Sequence, residues 1–217
     1  MIKNKKYKEF LDNGFIEIIN LHGLKRLLKG VDGIRGRHIP EARALVIGMY
    51  YTGMRPEEMF NMYQGMVYPD PKGITYCIVD APAAKNGLRR LIPLHLDKPF
   101  VKEFMDYCWN QYPKILLFRN FKGKYVRHYE KKDGTVVQYV ETSYKFRWHF
   151  YRWSKQLFPD GIPPYYLRHN RFSKLMMTGK VDSLQIKQLK GAKSMDSVTP
   201  YLHLDMKMAK RTALHND

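Results

Sequence analysis

Cysteine is nearly absent from this chain: Cys77 and Cys108 are the only two in 217 residues, and they form no close pair. That excludes a disulfide framework and a cysteine-built zinc site, and it fits a reducing cytosol. Long apolar runs are missing too. No stretch of about 18 apolar residues exists, so no transmembrane helix is expected. The basic start, Met1-Ile2-Lys3-Asn4-Lys5-Lys6, is not followed by the apolar segment of a signal peptide. Acidic residues are scarce and unclustered, and His128 and His149 have no partner at metal-ligand spacing, so neither a metal nor another cofactor is expected. Internal repeats and low-complexity tracts are also lacking.

What is present in excess is positive charge. Lys+Arg number 38 against 20 Asp+Glu, a net charge of +18. Such an excess concentrates polyanions around a protein and is the electrostatic footprint of nucleic-acid binding. A solvated cationic face is the plainer alternative. Aromatics at 14%, interleaved with bases as in Tyr144-Lys145-Phe146-Arg147-Trp148, favour nucleic acid. The length suffices for one sizeable domain.

Along the chain, residues 1–19 read as a basic lead-in or linker. Phe15 to Leu28 carries apolar residues at helical spacing and is expected to end at Gly30. Pro40 to Tyr51 is apolar nearly all round, which predicts a central core helix. Thr52-Gly53 breaks it, and Pro56-Glu57-Glu58 opens another helix, with proline and acids in its first turn. Residues 74–79 and 90–94 are β-type runs around Asn86-Gly87, a hairpin signal with Lys85 at its tip. Helices are predicted over about 98–111, 142–157, 164–178 and 182–190, with a last pair from about Ser194. A second β-rich stretch, 118–140, turns at Asp133-Gly134. Its Arg119, Lys122, Lys124, Arg127, Lys131 and Lys132 read either as edge-protecting charge or as a phosphate-contacting ridge. The expected architecture is mainly α with a small antiparallel β-sheet, an α+β fold.

Three features carry chemistry: Arg55 after Thr52-Gly53-Met54, Arg168 within Leu167-Arg168-His169, and Tyr201 ten residues after Gly191. Arginine grips phosphate through two parallel hydrogen bonds, and tyrosine can form a covalent intermediate. If the three meet, a phosphate is held by guanidinium groups and attacked by a phenol. Duller readings exist in isolation: Arg55 as a surface arginine at a helix end, Lys85 as a solvated hairpin lysine, Tyr201 as a packed core tyrosine.

Read together, the segments resemble the tyrosine recombinase (phage integrase) family. Thr52 to Met59 is similar to its first arginine box, Ala84 to Leu94 to its lysine-bearing hairpin, and Leu167 to Gly179 to its second arginine box. Leu189-Lys190-Gly191-Ala192 through Pro200-Tyr201-Leu202-His203 has its glycine-to-tyrosine spacing. The resemblance spans about 20–205 in the family's order. It implies a catalytic domain over 20–217, with the family's N-terminal DNA-clamping domain absent. It implies Arg55 and Arg168 on the non-bridging oxygens of the scissile phosphate, Lys85 as general acid for the 5′-oxygen, and Tyr201 as nucleophile. A metal-free 3′-phosphotyrosyl intermediate follows. Glu58 would support Arg55. His169 reads as a packed or capping residue, and His203 as a surface residue able to stand in for a missing histidine.

Two positions depart from the family pattern. Tyr165 stands where histidine is usual, and Ala192 where histidine or tryptophan is usual, leaving the general base unassigned. Variation at the first position resembles the archaeal virus and plasmid integrase branch. The implied partner is double-stranded DNA, met through Arg89, Arg90, Lys122, Lys124, Arg171, Lys174 and Lys193, with self-association on DNA as dimer to tetramer. The expected setting is the cytoplasm or nucleoid, or a host cytoplasm if viral, with no membrane. The expected function is site-specific recombination or integration, cleaving and rejoining strands through the phosphotyrosine. The alternative is a DNA-binding protein of the same fold that has lost chemistry. A metal-dependent nuclease is disfavoured by the dispersed acids, and a type IB topoisomerase by the closer match of the boxes.

Overall fold

A computed structural model describes residues 17–33, 38–69, 74–79, 89–130, 133–199 and 201. The helices are α1 (Leu21–Asp32), α2 (Ile39–Thr52), α3 (Pro56–Met59), α4 (Val101–Trp109), α5 (Tyr144–Ser154), α6 (Tyr165–Met177) and α7 (Ser183–Lys190). The strands are β1 (Val67–Pro69), β2 (Ile74–Val79), β3 (Arg90–His95), β4 (Tyr125–Glu130) and β5 (Val136–Glu141). Helix α2 is the hub, as its all-round apolar sequence predicts. Ten of its residues are buried, and α1, α4, α6 and β3 pack on it. Each fully buried Leu, Val, Ile or Met contributes roughly 1.5–3 kcal/mol.

The N-terminal helix departs from expectation. Asn20 caps α1 by accepting from the Gly23 N–H at 2.9 Å, and the helix runs through Gly30 to Asp32. Gly30 is not a terminator here but a contact point. A Cβ at that position would sit 2.7 Å from the Trp153 carbonyl oxygen of α5. Only glycine lets the two helices approach so closely. Outside this contact, Arg43 of α2 ties three helices together, donating to Asp32 at 2.7 Å and to Glu103 at 3.0 Å.

Two sheets flank the helices. One is antiparallel in the order β1-β2-β3, with β2 and β3 paired from Ile74↔His95 to Val79↔Arg90. The expected hairpin tip, with Lys85, Asn86 and Gly87, lies outside the described residues. Strand β3 alternates strictly: Arg90, Ile92 and Leu94 are buried while Leu91, Pro93 and His95 face outward. That period-2 geometry sends an arginine inward. The second sheet is the β4–β5 hairpin turning at Asp133-Gly134, and Val126, Val136 and Val140 stand exposed on it. An aromatic cluster of Phe60, Phe121, Phe146 and Trp153 fills the space beneath α5.

Candidate active site

Gly53 ends α2 in the left-handed region, at φ 65°. This reversal lets the chain leave α2 and restart at Pro56, with Arg55 as the extended N-cap of α3. The Arg55 N–H donates to Glu58 Oε2 at 2.7 Å and its guanidinium to Glu58 Oε1 at 2.9 Å. Glu58, 1% exposed, also accepts from Arg90 at 2.6 Å and lies 3.9 Å from Arg168. Burial pushes the Glu58 carboxyl up, but Arg90 and Arg168 outweigh it and hold the group below its usual range. One carboxylate therefore serves three guanidinium groups.

Arg168 projects from the buried face of α6. It donates to the Gly53 carbonyl and to the Lys190 carbonyl, each at 2.6 Å. These are the carbonyls at the C-terminal ends of α2 and α7, the electronegative poles of both helices. Burial, then the Arg55 charge, lower its pKa to about 10. Arg168 Nε and Arg90 Nε and Nη1 are buried with no hydrogen-bond partner among the described residues. Leaving such donors unmet costs on the order of 1–3 kcal/mol each, so they are primed for an anion.

Tyr201 is fully buried, and its hydroxyl lies 2.6 Å from His169 Nδ1. Burial, then Lys190 and Arg168, drive the His169 pKa down to about 3, so the ring is neutral. The Lys190 Nζ stands 4.6 Å over the Tyr201 ring and donates to the Ser197 carbonyl. Tyr165, half-buried, faces His169 edge-to-face at 5.0 Å and lies close to the Arg55 guanidinium. Burial alone would lower the Arg55 pKa, but Glu58, then Tyr165, outweigh it and hold it above its ordinary value.

The fold thus brings Arg55, Glu58, Tyr165, Arg168, His169 and Tyr201 into one cluster. Lys85 and His203 lie outside the described residues. Ala192 is buried beside Gly191 and supplies no polar group. Of the residues expected to face DNA, Arg89, Lys124 and Lys193 are exposed. Lys122 is half-buried and reaches Asn61 Oδ1 at 3.3 Å. Lys174 donates to the Tyr50 hydroxyl at 2.8 Å, and Arg171 is half-buried with its pKa lowered by burial. Arg90 differs from its expectation: the alternation of β3 turns it inward onto Glu58, where it is 8% exposed. Sequence reasoning passed over Lys190 as well. Its spacing of four from Ile186, which is fully buried, was the available signal.

Among the described residues no group of three or more His, Cys, Asp or Glu is placed to hold a metal ion, and no helix is long and apolar enough to cross a membrane. A cleft of about 800 Å³ runs beside the cluster between β3 and α7, lined by Arg89, Arg90, Lys187 and Ala192 among others.

No protein-family model and no curated protein matches the chain. Solved structures do. The catalytic domain of bacteriophage HP1 integrase is 19% identical with a TM-score of 0.52, over 93% of this chain and 96% of that one. XerA recombinase is 16% identical with a TM-score of 0.56, over 94% of this chain and 66% of that one. The XerH site-specific recombinase, in a post-cleavage complex with a palindromic difH substrate, is 16% identical with a TM-score of 0.56, over 91% of this chain. This chain spans about half the length of XerH, 52%. The fold is mainly α with a small antiparallel sheet, that of the tyrosine recombinase catalytic domain.

Proposed function

We propose that this chain cleaves and rejoins DNA strands as a site-specific recombinase or integrase, through a metal-independent 3′-phosphotyrosyl intermediate. One observation carries the reading. Arginines from positions 55, 90 and 168 converge on a single buried carboxylate, with N–H donors unpartnered among the described residues, beside a buried phenol at position 201. Structural likeness to recombinases solved on their DNA substrates supports it.

In this reading Arg55 and Arg168 bind the non-bridging oxygens of the scissile phosphate. Their orientation is set in advance by Glu58 and by two helix-end carbonyls, so little reorganisation is needed as charge develops. The Tyr201 hydroxyl leaves His169 and attacks phosphorus, the P–O5′ bond breaks, and Lys85 protonates the departing 5′-oxygen. The partner is double-stranded DNA, bound through exposed bases such as Arg89, Lys124 and Lys193, with self-association on the duplex. Cytoplasmic or nucleoid location follows from the substrate.

A second reading, a DNA-binding protein of this fold without chemistry, is favoured by Ala192 and by the full burial of Tyr201. A nicked suicide duplex in EDTA separates the two. The recombinase reading expects a covalent protein–DNA band, abolished by Tyr201→Phe with DNA affinity changed by less than about twofold, since phosphate contacts dominate affinity. Retention of DNA without any band in the wild type establishes the second reading instead.

A further inference from the structure

We propose that Lys190 is a further catalytic residue of this site, its amine taking the proton of the Tyr201 hydroxyl as that oxygen bonds to phosphorus. The proposal rests on the recombinase reading above and supplies the base that Tyr165 and Ala192 leave unassigned.

The geometry is unusual for a lysine at the end of a helix. A basic side chain there normally extends into solvent, where the helix dipole favours it. Lys190 is instead 5% exposed, on the inward face shared with Ile186. Its carbonyl holds Arg168 at 2.6 Å, and its Nζ lies over the Tyr201 ring, 4.6 Å from the ring centre. The amine makes one described hydrogen bond, to the Ser197 carbonyl, and no carboxylate forms an ion pair with it among the described residues.

Its surroundings are cationic on every side that carries charge. Arg168 and the neutral His169 face it from α6, Arg55 from the start of α3, and Arg90 packs against Gly191 from β3. Glu58, the nearest anion of the cluster, is already engaged by the arginines. Burial, then Arg168 and Arg55, lower the Lys190 pKa to about 7. A neutral amine with a free lone pair is therefore accessible at physiological pH, which an ordinary lysine near 10.4 does not offer.

His169 is the competing base, because it holds the hydroxyl directly. The same cations and the same burial drive it to about 3. Against an ordinary phenol near 10, transfer to His169 is unfavourable by about 10⁷-fold and to Lys190 by about 10³-fold. His169 positions the phenol, and Lys190 receives its proton. In the step the Tyr201 O–H bond breaks and the proton joins the Nζ lone pair, giving an ammonium. The new O–P bond forms as P–O5′ breaks, and the 5′-oxygen is protonated separately. Rejoining reverses this: the ammonium returns its proton to the departing tyrosine oxygen.

The test is single-turnover adduct formation on a nicked suicide duplex from about pH 5.5 to about 9.5. The wild-type rate should climb about tenfold per pH unit and level near 7. Lys190→Met should fall by about 10²-fold or more at neutral pH and keep climbing to the alkaline limit, with filter-bound DNA unchanged. Lys190→Arg keeps the charge but has no usable base, and should be no better than Met. Lys190→Ala should recover with added methylamine, which guards against an ill-fitting arginine. An arginine variant that matches wild type, or an alanine variant indifferent to methylamine, overturns the role of Lys190 while the recombinase reading stands. No adduct from the wild type at any pH overturns that reading, and this proposal with it.

Discussion

Glu58→Gln removes the negative charge shared by three guanidinium groups while changing almost no volume. The neutral amide would keep one acceptor oxygen, so at most one arginine stays well bonded. Its NH2 group would face donors rather than acceptors. Glu58 is 1% exposed, and solvent screening does not soften the loss. Breaking a buried pair by deleting one partner typically costs about 3–5 kcal/mol, because the remaining charge is stranded. Arg90 is the charge stranded here, its other two nitrogens already lacking partners among the described residues. At about 2–4 °C per kcal/mol for a domain of this size, the melting temperature should drop by roughly 6–20 °C. Urea denaturation followed by far-UV circular dichroism provides the matching free energy. There is also a pH signature. The folded carboxyl titrates below its unfolded value of 4.5, so its stabilisation is complete above about 4.5 and is lost as pH falls through the lower folded value. The Gln variant should lack that part of the acid limb. Sulfate or inorganic phosphate should restore part of its stability by re-supplying negative charge. A variant within about 1 kcal/mol of wild type at neutral pH would refute the view that Glu58 neutralises this cluster.

Gly30→Ala tests the helix contact: the gain of about 0.5–1 kcal/mol in helix propensity should be outweighed by overpacking of about 1–3 kcal/mol against the Trp153 carbonyl, lowering the melting temperature by a few degrees. A rise would mean that the helices separate without cost. His169 titrates at about 3 folded against 6.5 unfolded, so the unfolded chain binds more protons between those values. Stability should therefore fall as pH drops from about 6.5 toward 3, by up to about 5 kcal/mol for the full shift. His149 contributes to the same window, its pKa also lowered by burial. The difference between wild type and His169→Gln in urea midpoint at about pH 7 and about pH 4.5 isolates His169, and parallel slopes would count against its burial in neutral form.

Periodicity made most of the fold legible. The all-round apolar sequence of 40–51 could only be a core helix, and the β-type runs at 74–79 and 90–94 pair as an antiparallel ladder. What escaped are the places where tertiary contact overrides a local rule. Gly30 reads locally as a helix stop, yet the partner helix needs the missing Cβ there. Arg90 reads as DNA-facing by chemistry and Lys190 drew no reading, while their positions in strand and helix turn both inward. In the site, motif order named Arg55, Arg168 and Tyr201, which the fold brings close, but not which atoms touch. That His169 holds the Tyr201 hydroxyl depends on the path between Gly191 and Tyr201, which has no sequence period.

Arg168 is aimed by two oxygens that belong to no side chain, the carbonyls of residues 53 and 190. Substitution can replace every side chain around it without deleting either acceptor, so long as the two helices end where they do. The orientation of this guanidinium is thus written in chain path rather than in residue identity. Side-chain scanning at positions 53 and 190 would report on strain or charge and leave the anchor itself undetected. Comparison of aligned residues would pass over it for the same reason. Such an anchor holds the guanidinium in place wherever both helix ends are kept, whatever side chains surround it.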